Sequence, residues 1–376
     1  MRPLNALSFL LSMMVLLLSC GKHPEGWNGS IELIDGVSWV KNPRIPRYAD
    51  DTLTIQEDLK IGDTEGEGSY LFASIHLLAV DDDGHIYVAD AKEKHISVFD
   101  QTGKLLKVIG GPGQGPGEFA WITDLQITAK NQLMAHDDRG RRIQHFTLDG
   151  NMVYSQDTNG IRGQVKGNIF PSSFHLSYDL AQNYLVEVAI LAGMKAHREL
   201  LKIDSDLNRA SKIMEIPEWD VTQTDPDRTT DIYYAVTSKN EIAVGFPKTY
   251  ELRLFDSAGS LKKVISRDYP PVPLSEKEKE DYQKIYLPDR VDPPTVHSAF
   301  QYLATDEKGR YFVDTWEKPE NGAGRYIDVF DPDGKYLCRF LLDAKPKVIK
   351  KDHIYTIETD EDGYQCVRRY RMTWKQ

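Results

Sequence analysis

A unit of 47 residues occurs twice in succession in this chain, and the repeat constrains the fold more than any other feature of the sequence. A shift of 47 residues places Leu59-Lys60-Ile61 on Leu106-Lys107-Val108. The register continues without a gap through the pairs Gly66 and Gly113, Gly68 and Gly115, Phe72 and Phe119, Ile75 and Ile122, Asp90 and Asp137, Ile96 and Ile143, Phe99 and Phe146, and Gly103 and Gly150. Agreement over so long a stretch indicates duplicated structural units.

Each unit has the pattern of four short strands separated by turns. In the clearest unit the predicted strands are Leu77–Val80, Ile86–Ala89, His95–Phe99 and Leu105–Ile109. The intervening turns contain Gly84 and Gly103, and glycine reaches the positive φ that such turns require at little steric cost. Four-stranded units of about 40–50 residues are typical of propeller blades. The fold class is therefore predicted to be an all-β propeller.

The third strand of each unit ends in an aromatic residue, an aspartate and a glycine turn, which allows the blades to be counted. The motif occurs at Phe99-Asp100, Phe146 with Asp149, Phe255-Asp256 and Phe330-Asp331, with a degenerate copy at Ile203-Asp204. A sixth unit, residues 348–371, lacks a fourth strand, and the segment from Thr52 to Ile61 has the fourth-strand pattern. We expect this N-terminal strand to complete the last blade, because closure removes exposed sheet edges. Six blades are predicted, with seven as the alternative.

The N-terminus has the pattern of a lipoprotein signal peptide. Arg2 precedes an apolar run from Leu7 to Leu18, which is shorter than the roughly 20 residues that span a bilayer and fits a signal-peptide core. The run ends at Ser19-Cys20-Gly21, which resembles the bacterial lipobox. That resemblance implies lipidation of Cys20, the alternative being an ordinary signal peptide. The predicted organisation is a signal peptide over residues 1–19, a lipidated tether over 20–51 and one propeller over 52–376.

Three segments of the first two units carry a family resemblance. They are Ile86–Asp90, His95–Asp100 and the glycine-rich Gly110–Phe119. These segments resemble the NHL repeat, and with the lipobox the chain is similar to the NHL-like six-bladed β-propeller lipoproteins of bacteria. The family is mostly uncharacterised, so the resemblance implies a fold and a lipid-anchored position in the cell envelope, with the outer membrane favoured, and does not imply an activity.

Two insertions interrupt the later blades. Residues 269–298 contain a proline-rich stretch followed by Ser275, and Glu278 three residues later predicts a capping box at the start of a short helix. This insertion is either a solvated loop or a functional lid. A second insertion, Glu317 to Gly324, lengthens the loop between strands two and three of the fifth blade, on a rim where recognition loops are common.

Composition and motifs narrow the function classes. The chain has 57 acidic and 46 basic residues, a net charge of -11, and no long basic block, so nucleic acid is not expected as a partner. The motifs of serine hydrolases, zinc proteases and P-loop enzymes do not occur, and no cofactor is predicted. Cys338 and Cys366 could pair in an oxidising compartment, but the sequence leaves that open.

Alignment of the blades on their first turns identifies the candidate binding residues. Five positions become equivalent at the start of the innermost strands: Leu77, Asp124, His175, Tyr233 and Tyr302. The candidate ligand set at the central channel is therefore Asp124, His175, Tyr233 and Tyr302, with His76 and Gln126 as helpers. These side chains form either a polar, aromatic pocket or a hydrogen-bonded plug that includes water.

The candidate set is too small for a convincing metal site, because it offers only one aspartate and one histidine with two possible helpers. No catalytic or metal-binding residue is assigned. The sequence therefore predicts a membrane-anchored, non-enzymatic binding or scaffolding propeller, attached to the membrane through the lipid on Cys20, for a glycan, peptide or protein ligand. A metal-dependent hydrolase or lyase that uses the channel is the alternative.

Overall fold

The computed structural model of the chain describes residues 26–48, 52–62, 70–193, 195–220, 232–246, 248–285, 294–319, 322 and 324–375. The predicted signal peptide and Cys20 lie outside the described residues, so their assignment stays a prediction.

Most of the regular secondary structure in the described chain consists of β-strands. In chain order they are β1 (Ser30–Ile34), β2 (Val37–Asn42), β3 (Leu53–Ile61), β4 (Ile75–Val80), β5 (Ile86–Asp90), β6 (His95–Phe99), β7 (Leu105–Ile109), β8 (Ile122–Ile127), β9 (Gln132–Asp137), β10 (Arg142–Thr147), β11 (Met152–Asp157), β12 (Asn168–Tyr178), β13 (Tyr184–Ala192), β14 (Lys195–Ile203), β15 (Ala210–Asp220), β16 (Tyr233–Val236), β17 (Ile242–Phe246), β18 (Glu251–Phe255), β19 (Leu261–Arg267), β20 (Phe300–Thr305), β21 (Tyr311–Thr315), β22 (Arg325–Phe330), β23 (Tyr336–Leu342), β24 (Pro346–Lys350), β25 (His353–Thr359) and β26 (Gln365–Trp374).

These strands form six antiparallel blades arranged as a propeller. Blades one to five are β4–β7, β8–β11, β12–β15, β16–β19 and β20–β23, and blade six is β24, β25, β26 and β3. The predictions of an all-β fold and of six blades are confirmed, and the seven-bladed alternative is wrong. Alternating apolar side chains of neighbouring blades form the core between the sheets, as at Phe119 and Phe146, whose ring centroids lie 6.0 Å apart.

The N-terminal strand closes the ring, as predicted. Strand β3 pairs antiparallel with β26, from Ile61 opposite Val367 to Leu53 opposite Trp374. Leu53 packs in the core shared with blade five, and Ile61 packs in the core shared with blade one. The closing strand therefore links blade six to both of its neighbours.

The repeated aspartate of the second strand explains why the 47-residue register is so regular. Asp90 accepts hydrogen bonds from the backbone N–H groups of Ala73 (2.7 Å), Ser74, Lys92 and Glu93. Asp137 accepts the equivalent bonds from Ala120, Trp121 (2.7 Å) and Gly140. Each carboxylate accepts hydrogen bonds from the segment that precedes the first strand of its blade and from the turn that follows the second strand. It therefore fixes both segments relative to each other.

The region before β3 differs from the sequence-based expectation. Residues 26–48, predicted to belong to the tether, include the hairpin β1–β2, and β2 pairs parallel with β19 and extends blade four to six strands. The Asn42 side chain fixes this addition by donating to the carbonyls of Ser266 (3.1 Å) and Gly334 (2.9 Å) and by accepting from the N–H of Tyr336 (2.7 Å). The tether prediction is corrected for these residues: they are folded against the propeller.

The helices are few and short. Helix α1 covers Asn159–Arg162, and α2 covers Glu276–Ile285 within the predicted insertion. The predicted capping box is confirmed, because the backbone N–H of Ser275 donates to the Glu278 carboxylate (2.8 Å) and the N–H of Glu278 donates to Ser275 Oγ (3.2 Å). No helix in the described part of the chain is long and apolar enough to cross a bilayer. Cys338 and Cys366 are both buried and are not joined in a disulfide.

Candidate functional site

The innermost strands β4, β8, β12, β16, β20 and β24 surround the central channel, and their register agrees with the blade alignment made from the sequence. The five aligned residues each pair with a residue twelve positions later on the second strand: Leu77 with Ala89, Asp124 with His136, His175 with Glu187, Tyr233 with Gly245, and Tyr302 with Asp314. These positions are therefore structurally equivalent. Whether they bind a ligand stays a prediction.

A side-chain hydrogen bond crosses each of the six junctions between inner strands. The bonds are His76 Nε2 with Ile122 O (3.2 Å), Gln126 Nε2 to Tyr178 O (3.0 Å), Ser177 Oγ with Tyr234 Oη (2.9 Å), Thr305 Oγ1 to Val236 O (2.9 Å), Tyr302 Oη to Lys347 O (3.0 Å) and Lys350 Nζ to Val80 O (3.0 Å). Three of the candidate residues, His76, Gln126 and Tyr302, thus use a polar atom to join neighbouring blades. Those atoms bond backbone carbonyls of the neighbouring blade, so the choice between a pocket and a plug stays open.

Asp124 lies at the centre of a histidine cluster. Its carboxylate contacts Nδ1 of His136 at 2.8 Å and Nδ1 of His175 at 3.4 Å, and it accepts a hydrogen bond from Thr123 Oγ1 at 3.0 Å. Burial acts to raise the pKa of Asp124, but the hydrogen bonds and charges of the two histidines outweigh it and lower the pKa to about 2. The hydrogen bond to Asp124 in turn raises the pKa of His175. Asp124 is therefore ionised at neutral pH.

A cavity of about 290 Å³ opens beside this cluster. Its polar lining consists of His76, Asp124, Gln126, Ser177 and Lys347, and leucines complete the wall. Burial lowers the pKa of His76, and the nearby charge of Lys347 acts in the same direction. Four of the predicted residues therefore lie at this cavity. Its lining includes His76, Asp124 and Gln126, and His175 contacts the carboxylate of Asp124.

Lys347 is a residue of this cavity that the sequence analysis missed. Burial lowers the pKa of its half-buried ammonium group. Among the described residues, no carboxylate forms an ion pair with it. A charged group in this setting pays part of its desolvation cost without compensation from an opposite charge.

Four inner strands carry a β-bulge at the same level, and Lys347 occupies one of them. The register shifts between Ile75 and Leu77, Ile122 and Asp124, Phe300 and Tyr302, and Pro346 and Val348, at His76, Thr123, Gln301 and Lys347 respectively. Bulges re-aim side chains and are common beside functional sites. The blade alignment did not identify Lys347, because the first turn of blade six is shorter than those of the other blades. The next residue, Val348, pairs with Tyr355, only seven positions later.

The two candidate tyrosines lie around a different lysine. Lys345 Nζ is 5.9 Å from the ring centroid of Tyr233 and 5.5 Å from that of Tyr302. Tyr302 also pairs across the sheet with Asp314, a buried carboxylate that accepts a hydrogen bond from Arg325 Nη1 (2.8 Å) and whose pKa burial raises to about 6. Tyr233 and Tyr302 are therefore neighbours in adjacent blades, but neither lines the cavity of about 290 Å³.

The alternative enzymatic reading requires a metal site. Within the described ranges, no group of three or more histidine, cysteine, aspartate or glutamate side chains could hold a metal ion. In the cluster of Asp124 with His136 and His175, each histidine Nδ1 contacts one oxygen of the carboxylate.

Comparison with known proteins supports the fold. Residues 64–161 match a family model described as a 6-bladed beta-propeller. No curated protein matches the chain.

Solved structures match over most of the chain at low identity. A protein of Bacteroides fragilis described as exported is 13% identical with a TM-score of 0.53, and the match covers 90% of this chain and 100% of that one. A Bacteroides vulgatus protein is 11% identical (TM-score 0.49, 87% and 100% covered), and a gluconolactonase of Xanthomonas campestris is 12% identical (TM-score 0.47, 81% and 87% covered). Identity this low shows the fold alone, and the last two likenesses carry no argument. The chain is a six-bladed β-propeller, and its resemblance to the NHL-like propellers is confirmed.

Proposed function

We propose that this chain is a lipid-anchored protein of the bacterial envelope whose propeller binds a small carboxylate-bearing ligand without catalysis. The ligand would occupy the cavity of about 290 Å³ between the inner strands, which we call the channel mouth. The observation that carries the proposal is the half-buried ammonium of Lys347, which lines a cavity of about 290 Å³ beside the ionised Asp124. A carboxylate of the ligand would form the ion pair that Lys347 does not form with any carboxylate among the described residues.

The cavity limits the size and the chemistry of this ligand. Ligand pockets usually measure about 300–1,000 Å³, so a cavity of about 290 Å³ suits a ligand such as a sugar acid, an amino acid or the C-terminal residue of a peptide. Asp124 is ionised and accepts hydrogen bonds, so a hydroxyl or ammonium group beside the carboxylate would be recognised as well. This ligand class is narrower than the glycan, peptide or protein expected from the sequence.

Binding can be tested by replacing Lys347 with methionine, which keeps most of the aliphatic stem and removes the charge. Calorimetric titration would use glucuronate and succinate as probes, with glucose as the neutral control. We expect the parent to bind at least one of the two carboxylates and Lys347→Met to bind it at least about tenfold more weakly, a loss of ~1.4 kcal/mol.

The matched control is Lys262→Met, at a lysine whose side chain is 54% exposed on blade four. It should bind as the parent does. The proposal is wrong if the parent binds neither carboxylate, or if Lys347→Met binds as tightly as the parent. Metal analysis of the same preparation addresses the alternative, because a stoichiometric divalent ion would favour a metal-dependent hydrolase or lyase.

The envelope position rests on the lipobox at Cys20 and on the apolar run before it. The description of the Bacteroides fragilis protein as exported is in keeping with it. Cys20→Ala should leave the protein unprocessed or release it from the membrane fraction. Mature Cys20→Ala protein that still sediments with membranes after fractionation would contradict lipid anchoring.

A further inference from the structure

A large cavity lies on the rim of blades four and five, outside the central channel. It measures about 1170 Å³, and we call it the rim groove. Three segments form its walls: residues 44–48 after the N-terminal hairpin, the proline-rich residues 270–273 of the first insertion, and residues 317–319 of the second. Arg267, Tyr326 and Arg339 also line it.

The walls of the rim groove are held by backbone hydrogen bonds. The N–H groups of Arg47 and Tyr48 donate to the carbonyls of Tyr336 (3.0 Å) and Leu337 (2.8 Å) on blade five. The N–H of His297 donates to the carbonyl of Val272 at 2.8 Å. The N–H of Tyr326 donates to the carbonyl of Glu317 at 3.3 Å, so each of the three walls is tied to another part of the chain.

The rim groove has a concentration of positive charge. Its lining has five cationic side chains, Arg44, Arg47, Arg267, Lys318 and Arg339, and one carboxylate, Glu317, in a chain whose net charge is -11. The charge of Arg267 is paired within the protein, because its Nη1 lies 2.6 Å from Oδ2 of the buried Asp328. Glu317 is shared, since its Oε2 lies 3.3 Å from Arg339 and 3.4 Å from Arg267.

Three cations therefore remain for a ligand. Arg44 is exposed, and Lys318, 54% exposed, has only a long contact of 3.8 Å to Glu278. The guanidinium of Arg47 lies over the Tyr48 ring at 4.8 Å, and its buried Nε has no hydrogen-bond partner among the described residues. Arginine presents a planar fork of donors that matches a carboxylate.

The remaining lining favours a peptide over a sugar. Five wall residues are prolines, which present carbonyl acceptors and apolar rings but no N–H donors: Pro46, Pro270, Pro271, Pro273 and Pro319. The rings of Tyr48 and Tyr326 are each covered on one face by an arginine, at 4.8 and 4.0 Å, which leaves less ring surface for a sugar to stack on. Ile45, which is 75% exposed, adds apolar surface for a hydrophobic side chain.

We infer that the rim groove binds an extended peptide segment that carries acidic side chains interspersed with apolar ones. The carboxylates pair with Arg44, Arg47 and Lys318, the apolar side chains contact the prolines and Ile45, and the peptide N–H groups donate to wall carbonyls. The volume of about 1170 Å³ exceeds the usual range for one small ligand, which agrees with several residues of an extended chain.

The test is a fluorescence-anisotropy titration of the full chain with a labelled peptide of glutamates and leucines. The variant Arg44→Gln/Arg47→Gln/Lys318→Gln should bind at least about tenfold more weakly than the parent. The matched control removes three exposed cations elsewhere, by Lys92→Gln/Lys104→Gln/Lys166→Gln, and should stay within about twofold of the parent. The Lys347→Met variant should bind this peptide as the parent does, which separates the rim groove from the channel mouth.

A double variant, Arg44→Gln/Lys318→Gln, repeats the test at the two exposed residues alone in case loss of Arg47 disturbs folding, and it should also weaken binding. The inference is overturned if the parent does not bind the glutamate peptide, or if the groove triple variant and its control weaken binding equally, which would indicate unspecific attraction. It is also overturned if a lysine peptide binds equally well, or if a sulfated glycan binds and the glutamate peptide does not.

Discussion

The guanidinium of Arg267 and the carboxylate of Asp328 form a buried ion pair across the junction of blades four and five, with Nη1 2.6 Å from Oδ2. Asp328 also accepts hydrogen bonds from the hydroxyls of Tyr250 (2.5 Å) and Tyr336 (2.6 Å). Burial raises the pKa of Asp328, and the charge of Arg267 opposes that rise. The pair fixes the floor of the rim groove, because Arg267 lines it.

Removal of Asp328 should therefore destabilise the fold strongly. Asp328→Ala leaves Arg267 buried without its main counter-charge, which should lower the free energy of unfolding by about 3–5 kcal/mol in a denaturant titration. The control Glu276→Gln breaks an ion pair whose glutamate is 85% exposed and should change it by less than about 0.5 kcal/mol. Equal effects of the two substitutions would contradict this account of the pair.

The closing strand β3 should contribute to stability through its two buried ends. Leu53 and Ile61 are 3% and 4% exposed, and each packs into a core that includes a neighbouring blade. Leu53→Ala and Ile61→Ala should each cost about 2–5 kcal/mol in chemical denaturation, because each leaves a cavity. Leu71, 53% exposed, provides the control, and Leu71→Ala should be nearly neutral. Near-neutral effects at both ends of β3 would mean that ring closure does not depend on this strand.

The hydroxyl of Tyr302 should stabilise the junction between blades five and six. It donates to the carbonyl of Lys347 at 3.0 Å, so Tyr302→Phe should lower the free energy of unfolding by about 1 kcal/mol. Tyr364→Phe is the control, at a side chain that is 42% exposed. If Tyr302→Phe leaves stability unchanged and weakens carboxylate binding instead, the hydroxyl belongs to the ligand site.

Asp314 should give the stability a distinct pH dependence. Burial raises its pKa from 3.8 to about 6, so between about pH 4 and pH 6 the folded state binds more protons than the unfolded state. The contribution of this group is present below about pH 4 and is lost as the pH rises through 6, by roughly 2–3 kcal/mol. Asp314→Asn cannot titrate, so its unfolding free energy should fall less than that of the parent across this window. Parallel curves for the two proteins would contradict the raised pKa.

The sequence predicted the ring of blades well because the repeat constrains strands and turns together. The repeated Asp90 and Asp137 make the same backbone contacts, so the periodicity that revealed the blades reflects a shared local structure. The five aligned channel positions are equivalent in the structure too, where each pairs with the residue twelve positions later, as Asp124 does with His136. The presence of Lys347 at the channel cavity did not follow from the sequence, because the shorter first turn of blade six breaks the twelve-residue spacing.

The hairpin β1–β2 and the rim groove were beyond the sequence analysis for a different physical reason. Strand β2 pairs in parallel with β19, whose residues lie more than 200 positions later in the chain. A contact between such distant segments leaves no turn pattern in the local sequence from which it could be predicted. The three walls of the rim groove come from segments around residues 44–48, 270–273 and 317–319, which share no motif and no repeat. Only the folded ring brings them together.

The most direct test of the proposed ligand site is the pKa of Lys347 itself. The lysines would be dimethylated with carbon-13 formaldehyde, which keeps their charge, and followed by carbon-13 NMR across the alkaline range, with the resonance of Lys347 assigned by its absence in Lys347→Met. We expect the pKa of dimethylated Lys347 to lie below that of the exposed dimethylated lysines, because burial lowers it. It should rise when the carboxylate that binds in calorimetry, glucuronate or succinate, is added, because a bound carboxylate stabilises the ammonium form. A resonance that titrates with the exposed lysines and does not respond to the carboxylate would contradict the proposed site.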